Sequence, residues 1–77
     1  MEQLITAIAR GLVEDKDAVS VTADEPMADG TIVYRLHVGP GDMGRVIGKQ
    51  GRIAKAIRTV VRAAAIRQDV RVTVEIE

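Results

Sequence analysis

A chain of 77 residues, 47% of them hydrophobic, holds one small domain over residues 1–77 and excludes both disorder and a second core. It has no cysteine, which excludes disulfides, cysteine-bound zinc and thiol chemistry, and no apolar run nears the roughly 20 residues of a membrane helix. Net charge is zero, but it is unevenly spread: residues 1–40 carry seven acids against three bases, whereas Met43 to Gln68 carries seven bases and no acid.

In chain order, Met1-Glu2-Gln3 is not the basic start of a signal peptide, so the expected location is cytoplasmic. Leu4, Ile5, Ile8, Ala9, Leu12 and Val13 recur at helical spacing and predict an amphipathic helix over 2–13. Val19, Val21 and Ala23 alternate with polar residues as a short strand does, and Pro26 to Gly30 reads as a turn with Asp29-Gly30 as its hairpin signal. Ile32, Tyr34, Leu36 and Val38 form the buried face of a second strand, which Gly39-Pro40-Gly41 stops. Asp42 reads as the N-cap of a short helix through Ile47. A longer helix runs from Arg52 to Arg67, and Val70, Val72, Val74 and Ile76 mark a third strand.

The order α-β-β-α-α-β dictates an α+β architecture. The first two strands pair antiparallel through their hairpin, and the two-helix connection permits a parallel crossover to the third. A three-stranded mixed sheet with one apolar face is then covered by three helices in a two-layer sandwich.

Between the two later helices stands Gly48-Lys49-Gln50-Gly51. Glycines remove the side chains that would keep a phosphate–sugar backbone away from the main chain. The following helix directs its N-terminal dipole toward the same place, and Lys49 and Arg52 add charge beside it. Two close glycines alone also describe a plain helix–helix turn. Ser20 and His37 stand without partners for nucleophilic or metal chemistry, so nothing points to an enzyme, a metal or a cofactor.

The run Val46-Ile47-Gly48-Lys49-Gln50-Gly51-Arg52-Ile53, set between two helices, resembles the Val-Ile-Gly-x-x-Gly-x-x-Ile signature of KH domains. It departs at one place: Ile53 follows the second glycine by two residues, and Ala54 stands where the larger residue is usual. The element order is similar to the type II KH arrangement, and the size to stand-alone bacterial KH-domain RNA-binding proteins of the KhpA type. The resemblance implies single-stranded RNA gripped by the Gly-x-x-Gly loop, in a small post-transcriptional regulator or RNA chaperone. Carried over by residue, Gly48, Lys49, Gln50 and Gly51 take the backbone, Arg45 and Arg52 flank it, and Ile47 and Ile53 floor a base groove. Scarce aromatics, with Tyr34 alone, fit such a groove and argue against stacking platforms.

On a helical wheel, Ile53, Ala56, Ile57, Val60 and Ala64 form the stripe expected to face the sheet. Ala54, Val61 and Ala65 widen the apolar arc to about 200°, twice the usual core stripe. Another helix could cover this shoulder, or a partner could. The second reading makes Ala54, Arg58, Val61 and Ala65 a dimer interface. The resemblance implies homodimers and pairing with a larger KH-containing protein, so a dimerisation adapter is the competing function.

Overall fold

A computed structural model describes residues 1–77. Six main elements follow in the expected order: α1 (Glu2–Arg10), β1 (Ser20–Ala23), β2 (Ile32–His37), α2 (Met43–Ile47), α3 (Arg52–Arg67) and β3 (Val72–Ile76). The sheet order is β1-β2-β3, with β1 antiparallel and β3 parallel to the central strand. The fold is the expected α+β sandwich with a three-stranded mixed sheet and three helices.

Register sorts the side chains. Tyr34 lies opposite Ala23 and Val74, and Leu36 opposite Val21 and Ile76, so these residues share the helix-facing side. Arg35, Thr22 and Glu75 share the other face, where Arg35 pairs with Asp24 at 2.9 Å. Ile5 and Ala9 from α1, Val46 from α2, and Ile57, Val61 and Ala65 from α3 close the core on Leu36, Val72 and Val74.

Helix α1 is shorter than its apolar period predicts, ending at Arg10 rather than residue 13. Gly11 weakens the helix at that point, and the N–H groups of Glu14 and Asp15 donate to the Asp42 carboxylate at 3.1 Å each, not to helical carbonyls. Val13 nonetheless stays in the core from the turn beyond the helix. Asp42 precedes α2 as expected, but its side chain caps no N–H of that helix, because it is committed to the end of α1.

The α3 surface differs most from the sequence expectation. Ala54, Val61 and Ala65 are 5%, 0% and 1% exposed, while Val60 is 50% exposed. The shoulder assigned to a partner is therefore the core stripe, and Val60 and Ala56 look outward. The small side chains at 54 and 65 are buried within the domain, Ala65 in the same cluster as Val72 and Val74, and are not free to meet a partner helix. Arg58, the fourth expected interface residue, is partly buried, and its Nε donates to the Val74 carbonyl at 3.1 Å.

Candidate nucleic-acid interface

The loop between α2 and α3 is held by backbone geometry that side chains resist. Gly48 has φ 74° and ψ 174°, and a Cβ built there would sit 2.6 Å from Ile53 Cγ1. This position demands glycine twice over, through conformation and through space. The side chain of Ile53, one position earlier than the usual motif, packs against Gly48. Gly51 is left-handed at φ 74° with open space around it, and Gln50 accepts the same region at φ 59°. The Gly51 N–H closes the turn onto the Gly48 carbonyl at 3.2 Å. Neither glycine carries a side chain into the loop: Gly51 is open around its Cβ position, and at Gly48 that position is taken by Ile53.

The cations around the loop divide into two groups. Lys49, Arg52 and Lys55 are exposed and form no ion pair. Arg45, expected beside them as an RNA contact, is spent elsewhere: its Nη2 lies 2.7 Å from Glu14 Oε1 and its Nε 3.2 Å from Asp42 Oδ1. Asp42, 5% exposed, sits at the centre of this knot. The Glu14 and Asp15 amides hold its carboxyl below the usual value of 3.8, and Arg45 pulls the same way. The knot fastens α2, and so the loop, to the end of α1. Sequence reading missed it because its members lie 27 and 28 residues apart.

Ile47 is 36% exposed beside the loop. Ile53 instead helps line a groove of about 360 Å³ between α1 and α3, with Ile8, Leu12, Ala56 and Val60. The expected residues thus fall on two surfaces. The basic loop opens to solvent at the start of α3, and the apolar groove runs along the α1 side of the same helix.

A family model described as KhpA/KhpB, KH domain matches residues 2–76. Among similar proteins is the RNA-binding protein KhpA of Clostridium acetobutylicum, 54% identical over 99% of both chains. Others are the proteins of that name from Listeria monocytogenes, at 49% over 99% of this chain and 97% of theirs, and from Aquifex aeolicus, at 42% over 99% and 94%. Among solved structures, Aquifex aeolicus Era bound to GDP and aluminium fluoride superposes with a TM-score of 0.70 at 20% identity. A structure of Era with MgGDPNP and nucleotides 1506–1542 of 16S ribosomal RNA has the same score and identity. The chain, 97% covered in both, spans only 28% of Era, and the likeness is one of fold.

Proposed function

The chain belongs to the KhpA/KhpB family of KH domains, a non-enzymatic family, and we propose that residues 1–77 act as one module that binds single-stranded RNA through Gly48-Lys49-Gln50-Gly51. The observation that carries the reading is the left-handed loop with φ 74° at both Gly48 and Gly51, open around Gly51, beside the unpaired cations Lys49 and Arg52. Phosphates approach the two glycines and meet the α3 N-terminus and those charges. Gln50 stands in the loop as a neutral donor, and Ile47 offers apolar surface to the adjoining base. Arg45 acts through position, holding α2 in place, and Ile53 supports Gly48 from beneath. One such module grips about four nucleotides, so the physiological role is that of a small post-transcriptional regulator or RNA chaperone of modest specificity.

The test is Lys49→Asp with Gln50→Asp, two exposed changes that put acids where phosphate must come. Binding of a labelled single-stranded RNA, followed by fluorescence anisotropy, should fall at least tenfold while the circular-dichroism melt is unchanged. Undiminished affinity in the folded variant would remove the loop from the site.

The groove between α1 and α3 favours a second, compatible reading, that of an adapter. Val60 at its rim is half exposed, and Ile8, Leu12 and Ile53 are only partly covered. A second copy of the chain, seated by two-fold pairing of this face, would bury them and bring two loops together. A larger KH-containing chain with a related face would compete for the same groove.

A further inference from the structure

The outer edge of β3 carries a polar site that the loop reading leaves unused. The Arg71 carbonyl accepts from Ile32 N–H at 2.9 Å, and Glu77 N–H donates to the Leu36 carbonyl at 2.8 Å, so both face β2. Backbone groups alternate along a strand, so Val74, three residues from each, turns its N–H and C=O to the open edge. A strand edge of this kind offers one donor beside one acceptor. That pair matches the Watson–Crick edge of adenine, which presents an acceptor at N1 beside a donor at N6. Here the acceptor is already taken. Arg58 reaches across from α3 and donates from Nε to the Val74 carbonyl at 3.1 Å. Its terminal nitrogens form no hydrogen bond or ion pair within the chain. Arg58 lies seven residues past Gly51, about 10 Å along the helix, within reach of a strand whose backbone is clamped at the loop.

We propose that Arg58 determines base preference at the position beside β3: it withholds the Val74 carbonyl and supplies two further donors, favouring cytosine or guanine over adenine. A guanidinium anchored through Nε has its outer N–H groups directed at one edge, and only a base with two adjacent acceptors satisfies both. Cytosine provides these as O2 and N3, and guanine as O6 and N7. Adenine would face a donor-rich site with its amino group unmet. The inference rests on the RNA-binding reading of the loop and adds the residue that discriminates.

The test uses labelled eight-nucleotide oligo(C) and oligo(A) with four proteins: the natural chain, Arg58→Ala, Arg58→Lys, and the loop variant with Lys49→Asp and Gln50→Asp. The natural chain should prefer oligo(C) by about tenfold, toward the low end for a bidentate contact. Arg58→Ala should erase that preference by weakening oligo(C) while leaving oligo(A) unchanged or tighter, because the carbonyl is freed. Arg58→Lys keeps the charge without the fork and should lose the preference at similar overall affinity. Equal weakening of both oligonucleotides in Arg58→Ala would reduce Arg58 to a general charge and overturn the proposal, as would a natural chain that binds oligo(A) as tightly as oligo(C). If neither oligonucleotide binds, or the loop variant binds as well as the natural chain, the loop reading itself fails, and this inference falls with it.

Discussion

Gly48 and Gly51 look equivalent in the motif, and their surroundings separate them. Both have φ of 74°, but only Gly48 has a side chain against its missing Cβ. Gly48→Ala therefore adds a clash with Ile53 to an unfavourable backbone, whereas Gly51→Ala bears the backbone cost of a left-handed residue, about 1–2 kcal/mol. In urea titrations, Gly51→Ala should lower the midpoint modestly. Gly48→Ala should lower it by roughly twice as much and disturb the packing of Ile53. Equal midpoints would mean that the Gly48–Ile53 contact yields freely. The glycine spacing was readable from the chain; which glycine is sterically indispensable depends on a side chain five residues on.

At the scale of the element, α3 shows how far periodicity carries. Its length and both ends match the sequence expectation at Arg52 and Arg67. Its orientation does not. Residues 53, 56, 57 and 60 and residues 54, 57, 61 and 65 are both apolar series at helical spacing, and a wheel ranks them only by bulk. The structure selects the second series for the sheet. Val61→Asp then places a carboxylate at a site with no exposure, in a domain whose core supplies roughly 3–5 kcal/mol. It should unfold the chain. Val60→Asp, on the outer face, should leave the melting curve intact and abolish any dimer formed through the α1–α3 groove. Sedimentation equilibrium on the natural chain and on Val60→Asp, with circular dichroism on all three proteins, decides both points. A folded Val61→Asp variant would contradict the placement of α3, and a natural chain that remains at 8.3 kDa at high concentration would dismiss the dimer.

Across the whole molecule, the Asp42 knot joins the first helical segment to the segment that carries the loop. Its carboxyl is held below its ordinary value by the Glu14 and Asp15 amides, so the folded state favours the ionised form. A depressed folded pKa stabilises the protein above the unfolded value, near 3.8, and that contribution drains away as pH falls through the lower folded value. Asp42→Asn removes the charge at every pH. It should melt lower than the natural chain at pH 7, and its melting temperature should fall less steeply below about pH 4. The two curves should converge in acid. Parallel curves from pH 7 to pH 2 would show that Asp42 contributes nothing through ionisation.

Much of this protein is written locally. Alternation over 32–38 and 70–76, the helical period of 52–67 and the punctuation at Gly39 to Gly41 and Gly48 to Gly51 each act within a few residues, so element order and the α+β layering follow from the chain alone. The loop motif was legible for the same reason, since its glycines, lysine and flanking helices are contiguous. What only the tertiary structure decided are relations between distant segments. Among them are the face α3 turns to the sheet, the diversion of Arg45 to Glu14 and Asp42, the early end of α1, and the reach of Arg58 to Val74. Each depends on which of several chemically equivalent partners the closed core brings within hydrogen-bond distance, and periodicity within one element does not encode that choice.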